Sequence, residues 1–245
     1  MTYCVGLRLE QGLIFVSDSR TNAGIDHIAT FRKLHRFGIP GERLLVLQTA
    51  GNLATSQAVV STLFHAIQAD QGRHLNNVSS LFEAAGLVGQ TMREVMSRTS
   101  TLARGDEYDF SSSILLGGQI KGQPMELYNI YPQGNFISAT QDTPYFQIGE
   151  SKYGKPILDR AMNFHTPLDK ALRCALISFD STIRSNLSVG TPLDVLIYRT
   201  DSLDFPEGRR IYENDPYFSM IRQQWSDGLR NTLAALPPAP DDYWR

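Results

Sequence analysis

The sequence predicts an α+β domain in which antiparallel strands are covered by helices. Two groups of strand-like segments alternate with two pairs of helical segments. The first group opens with a hairpin-like pair of apolar runs around a glycine turn, which sets an antiparallel sense. The 245 residues suffice for one large domain with a sizeable core. Periodicity alone also fits a simpler two-layer arrangement of the same elements.

The elements follow in order. Thr2 to Leu9 is rich in β-branched, aromatic and aliphatic residues, Glu10-Gln11-Gly12 supplies a turn, and Leu13 to Val16 is apolar before Ser17-Asp18-Ser19-Arg20. Phe31 to Phe37 reads as a strand ended by Gly38-Ile39-Pro40-Gly41, and Leu44 to Gly51 as a strand running into a helix. That helix places Leu53, Val60, Leu63, Phe64 and Ile67 on one face and ends before Gln71-Gly72-Arg73. A second helix carries Leu81, Ala85, Val88, Met92, Val95, Met96 and Thr99 and is expected to end near Gly105-Asp106-Glu107. Strands follow at Ser113 to Gly117 and Met125 to Ile130, joined by a turn at Lys121 to Pro124, with short strands at Phe136-Ile137 and Phe146 to Ile148. A helix is expected from about Ser151 past Ile157 and Leu158. Another opens at Thr166-Pro167-Leu168-Asp169, where proline in the first turn is a start signal, and runs through Leu172, Ala175, Leu176, Phe179 and Ile183. Leu193 to Tyr198 returns to strand. A last helix carries Tyr217, Phe218 and Trp225.

Composition excludes several functions. With 42% hydrophobic and 20% charged residues and a net charge of −2, the chain has the make-up of a globular protein and lacks the positive charge of a broad nucleic-acid interface. No apolar run approaches the roughly 20 residues of a membrane span, and the N-terminus has no basic, hydrophobic, cleavable signal. Cys4 and Cys174 read as reduced core residues of a cytoplasmic protein. His27, His35, His65, His74 and His165 show no metal-ligand spacing, and no CxxC or HExxH occurs.

The chemistry centres on Thr2. Removal of Met1 leaves a threonine with a hydroxyl and a free α-amine, whose ordinary pKa of about 7.7–8.0 suits a base near neutrality. One residue then supplies nucleophile and base. In the expected hairpin the start of the first strand lies opposite the end of the second, so Asp18 neighbours Thr2. Lys33, between apolar residues, is expected to face inward toward Asp18. Gly51, at a strand-to-helix junction, is placed for its backbone N–H to bind an oxyanion. Asp18 also has a plainer reading as a hairpin-end charge and Lys33 as a solvated strand lysine, and Ser188, in the run Ser185-Asn186-Leu187-Ser188-Val189-Gly190, reads equally as a helix end with Gly190 as its cap.

Taken together, Thr2, Ser17-Asp18-Ser19-Arg20, Lys33 and Thr49-Ala50-Gly51 resemble the proteasome β-subunit and HslV pattern of N-terminal nucleophile hydrolases. Within that group the chain looks most like Anbu, the bacterial proteasome-like ancestral β subunit, with Ser185-Asn186-Leu187-Ser188-Val189-Gly190 as a second anchor. The resemblance covers nearly the whole chain. It implies the four-layer αββα sandwich over residues 1–236, no metal or cofactor, and assembly into a ring or spiral. It assigns Thr2, Asp18, Lys33, Gly51 and Ser188 to catalysis, and Thr21, Phe31, His35, Thr49 and Leu53 to the pocket for the substrate residue before the cut. Arg20 matches the arginine that closes the Ser-Asp-Ser-Arg motif. Two departures stand out. Gly149-Glu150-Ser151 replaces Gly-Ser-Gly, and Ser185 replaces an aspartate that helps orient the N-terminal amine.

The implied mechanism is attack by the Thr2 hydroxyl on an amide or peptide carbonyl. Its own amine takes the proton, Lys33 paired with Asp18 eases deprotonation, and Gly51 stabilises the oxyanion. A narrow amidase or acyl-transfer enzyme acting on a small metabolite or isopeptide fits the same residues, as does a weakly active ring-forming scaffold. The association of Anbu-like proteins with ATP-grasp and transglutaminase-like proteins suits the former. The Pro-rich residues 237–245, ending in Tyr243-Trp244-Arg245, are either a disordered terminus or a tail docked on a neighbouring subunit.

Overall fold

The computed structural model describes residues 1–22, 28–102 and 109–245. Strands β1 (Tyr3–Leu9) and β2 (Gly12–Asp18) form the opening hairpin. Short strands β3 (Arg20–Asn22) and β4 (Ile28–Thr30) pair with each other, and β5 (Leu34–Ile39) and β6 (Arg43–Gly51) follow. Helices α1 (Leu53–Ala69) and α2 (Leu81–Leu102) lead to β7 (Ser112–Ile120), β8 (Glu126–Ile130), β9 (Phe136–Ser138) and β10 (Tyr145–Gly149). Then come α3 (Lys155–Ala161), α4 (Leu168–Ser185), β11 (Leu193–Arg199), β12 (Arg209–Ile211), α5 (Pro216–Ala235) and a 3₁₀ turn at Asp241–Trp244.

The strands form two five-stranded antiparallel sheets, ordered β10-β1-β2-β11-β12 and β5-β6-β7-β8-β9. Period-two alternation divides their side chains between two faces. From β1, Cys4 joins Leu13, Phe15, Leu44, Val46, Leu115 and Leu127 in an apolar cluster that draws on both sheets. Tyr3, Val5, Leu7 and Leu9 join Ala171, Ala175, Leu176 and Phe179 of α4 and Phe218 of α5. In β6 the split is the same: Leu45 and Leu47 pack with Val59 and Leu63 of α1 and Ala85, Val88 and Met92 of α2. The sheets approach closely at Gly117, where a Cβ would lie 2.7 Å from the Phe15 ring.

The helices follow the expected faces with local corrections. The helix expected from Ser151 begins at Lys155 with Pro156 in its first turn, and its cap Gly154 sits against the Tyr3 hydroxyl, where a Cβ would lie 2.2 Å from the oxygen. The strand expected over Phe31–Phe37 begins at Leu34. Residues 31–33 instead turn across the hairpin end, with the Phe31 N–H donating to Ser19 O at 2.9 Å. Helix α4 ends at Ser185 with Asn186 as its cap, so Gly190 does not cap it. The expected end of the second helix at 105–107 lies outside the described residues. The pairing of β3 with β4, and the edge strand β12, carried too little pattern to be anticipated. Among the described residues no helix is long and apolar enough to cross a membrane.

Candidate active site

The hairpin register decides where the first charged residue falls. Cys4 pairs with Ser17, so Tyr3 stands opposite Asp18, and the Tyr3 N–H donates to Asp18 Oδ1 at 3.0 Å. Asp18 ends β2 and is fully buried. Lys33 is 4% exposed and donates from Nζ to the same Asp18 oxygen at 2.7 Å and to Arg20 O at 2.7 Å. An ammonium has three donors, so one N–H remains for the pocket that Lys33 lines. Burial pushes the Asp18 carboxyl above its ordinary value, while the Lys33 charge and the Tyr3 and Gly190 amides pull it back. The Gly190 amide acts at looser geometry, since Asp18 Oδ2 has no partner within hydrogen-bond limits among the described residues.

The pocket holds about 350 Å³ and is lined by Met1, Thr2, Thr21, Lys33, Thr49, Ala50, Gly51, Leu53, Ser56 and Gly149. Its walls have local causes. The Thr49 N–H donates to Lys33 O at 3.0 Å, locking the lysine segment alongside β6. Gly51 has φ +110°, and a Cβ there would lie 2.4 Å from Ser111 O. Asn52 then caps α1 by accepting from Thr55 N at 3.1 Å. The first turn of α1, with Leu53 and Ser56, therefore forms one wall and brings the positive end of the helix dipole to the pocket. On the opposite side Gly149 takes φ +81° directly against Thr2 O, and the Glu150 N–H donates to that oxygen at 2.6 Å.

The structure thus brings Thr2, Lys33, Gly51, Thr21, Thr49 and Leu53 to one pocket, with Asp18 directly behind it. Three other sequence candidates are not in the lining of that pocket. Phe31 is part-exposed outside the lining. His35 stands on β5 opposite Leu47. It shares a sheet face with Thr49 and is not in the pocket lining. Its pKa is lowered to about 4 by burial and by the Arg32 charge. Ser188 lies in the turn after α4, its N–H donating to Asn186 Oδ1 at 3.0 Å. His27 lies outside the described residues. Cys4 is sealed in the core with Sγ 3.7 Å from Thr49 O, and burial pushes its thiol up, which removes it as a nucleophile. Among the described residues no cluster of three or more His, Cys, Asp or Glu could hold a metal ion.

Searches against models of protein families and against curated proteins return no match. Solved structures do match. The helical assembly of the Anbu complex from Pseudomonas aeruginosa is 64% identical over 98% of this chain and 99% of that one, with a TM-score of 0.95. The chain belongs to the Anbu family. Anbu (ancestral β-subunit) from Yersinia bercovieri is 59% identical over 97% and 99% of the two chains, TM-score 0.92. Anbu from Hyphomicrobium sp. strain MC1 is 46% identical over 97% and 99%, TM-score 0.89. Anbu chains are proteasome-like β-subunit homologues, and this one keeps that architecture from end to end.

Sequence reasoning noticed the departures at 149–151 and 185–190 and gave Ser188 a catalytic part, but it gave none to Glu150 or Asn186. Glu150 is 5% exposed, and its carboxylate accepts from Lys152 N and Asn186 Nδ2, each at 3.0 Å. Arg20 donates to Leu187 O at 3.0 Å, and its guanidinium fills the space over Gly190 that a Cβ would occupy. These contacts join the turn after α4 to the Thr2 end of the hairpin. A buried glutamate in place of a small polar residue was the available signal.

Proposed function

We propose that this chain is a proteasome-like threonine-type hydrolase of peptide or amide bonds, with Thr2 as nucleophile once Met1 is removed. The observation that carries the reading is the shared pocket of Thr2, Lys33 and Gly51, with Asp18 holding Lys33 and the Tyr3 amide at once. Thr2 Oγ1 attacks the carbonyl carbon, its proton passing to the Thr2 α-amine. The Lys33 ammonium favours the alkoxide electrostatically. The Gly51 N–H, beside the start of α1, receives the oxyanion. The amine then protonates the leaving nitrogen, and water cleaves the threonyl ester. Thr21, Thr49 and Leu53 bound the substrate side chain before the cut.

The same reading takes the two sheets with their flanking helices as a four-layer αββα sandwich over residues 1–236. It also takes the chain to self-associate into a ring or spiral, as the helical assembly of the P. aeruginosa relative supports. A pocket of about 350 Å³ is near the lower end for small-ligand sites, which keeps a narrow amidase or acyl transfer to an amine in view as the second reading. The test is intact-mass analysis of protein from its source organism before and after treatment with an epoxyketone. A mass lacking Met1, plus one adduct absent from Thr2→Ala, is expected. Retention of Met1 on every molecule would leave the proposed base blocked and overturn the reading.

A further inference from the structure

We infer that Glu150 positions the Thr2 α-amine and supplies the counter-charge for the ammonium that forms on it. The inference rests on Thr2 being the N-terminal nucleophile. Buried carboxylates are ordinarily paired with a cation. Glu150 is buried, yet among the described residues its hydrogen bonds come from neutral donors, the Lys152 backbone N–H and the Asn186 side-chain amide, and it enters no ion pair. Removal of Met1 moves the chain's N-terminal positive charge onto the α-amine of Thr2. The Glu150 backbone is already bonded to Thr2, N–H to carbonyl at 2.6 Å.

The surroundings hold this carboxylate in place. Asn186 caps α4 and starts the turn that ends at Gly190, whose amide supports Asp18. Asp18 in turn accepts the Tyr3 N–H. Two buried carboxylates are thus joined through residues 186–190, one bonded to the Tyr3 amide and one on the residue whose backbone bonds Thr2: Asp18 serves Lys33, and on this inference Glu150 serves the amine. The division of labour matches a nucleophile, a base and a group that orients the base. The proton leaves Thr2 Oγ1, rests on the amine as ammonium beside Glu150, and departs with the leaving nitrogen.

The experiment uses full-length protein released at Thr2 from a cleavable N-terminal fusion. The α-amine pKa is read by competitive acetylation across pH, with the N-terminal peptide quantified by mass spectrometry. A nearby carboxylate favours the charged amine, so Glu150→Gln is expected to lower that pKa by about half a unit or more. Epoxyketone adduct formation should then show an acid limb moved to lower pH and a plateau at least about tenfold lower. Glu150→Ala should move the pKa the same way, which keeps the test open if the glutamine variant misfolds. Equal amine pKa values in wild type and both variants overturn the inference. Failure of the wild type to form an adduct overturns the nucleophile reading instead, and the acetylation data still decide whether Glu150 faces the amine.

Discussion

Lys33 Nζ stands 2.7 Å from Asp18 Oδ1 with both side chains withdrawn from solvent, and that same oxygen holds the amide of Tyr3, the residue after Thr2. One carboxylate thus fixes both the lysine and the strand end that carries the threonine.

Removing either member of this pair should be costly. Lys33→Ala leaves Asp18 buried without its cation, a change that typically destabilises by about 3–5 kcal/mol. The double variant Asp18→Ala, Lys33→Ala should lose less than the sum of the single losses, by about 1–3 kcal/mol in urea denaturation. Additivity within about 0.5 kcal/mol would show that the two residues do not act as a unit.

His35 gives a pH signature. Its pKa falls from an ordinary 6.5 to about 4, by burial first and by the Arg32 charge second. In the folded state it therefore binds fewer protons than in the unfolded state between those values. The stability it contributes is complete above pH 6.5 and is lost as pH falls toward about 4. The stability of wild type relative to His35→Gln should drop by up to about 1.4 kcal/mol per pH unit in that window. A flat difference would mean that His35 titrates normally.

Gly149 and Gly122 share nearly the same backbone, with φ +81° and +79°. A Cβ at Gly122 meets nothing within 4 Å, whereas at Gly149 it would lie 2.0 Å from Thr2 O. Gly122→Ala should cost only the left-handed strain of about 1–2 kcal/mol. Gly149→Ala should cost more and also displace Thr2, abolishing epoxyketone labelling. Equal melting temperatures and undiminished labelling of both variants would refute a tight fit at Gly149.

The fold and the pocket were legible in the sequence to different depths. The hairpin around Gly12 put Asp18 near Thr2, because an antiparallel turn brings the start of β1 to the end of β2; the register that sets Asp18 opposite Tyr3 came from the structure. The inward path of Lys33 was read correctly for the wrong local reason. It was taken for a strand residue, but it lies in the coil before β5, aimed by the Phe31–Ser19 and Thr49–Lys33 backbone bonds. Glu150 and Asn186 were seen only as departures, since their hydrogen bond spans 36 positions and no local pattern encodes it. His35 was assigned to the pocket by resemblance. Its place opposite Leu47 depends on the β5–β6 register, which the single sequence leaves free.

The last prediction concerns assembly. The accessible surface is 13378 Å², while a compact monomer of 27.4 kDa should expose about 10,900 Å². The excess is about 2,500 Å², and contributors are visible at the end of the chain. On α5 and beyond, Leu229, Leu233, Leu236, Tyr243 and Trp244 are 54%, 70%, 59%, 77% and 79% exposed. Monomers seldom leave so many large apolar side chains in water at one end of the chain. A specific contact removes about 800 Å² per partner, so the excess suffices for the two or more faces that a ring or open helix requires of each subunit. Light scattering at micromolar concentration should report a mass several times 27.4 kDa for the full chain. Deletion of residues 236–245, or the pair Tyr243→Ser and Trp244→Ser, should shift it to smaller species without loss of the far-ultraviolet circular dichroism of the domain. A full-length chain that runs as a monomer would reject self-association outright. An unchanged assembly in both variants would move the contact from the tail to another face.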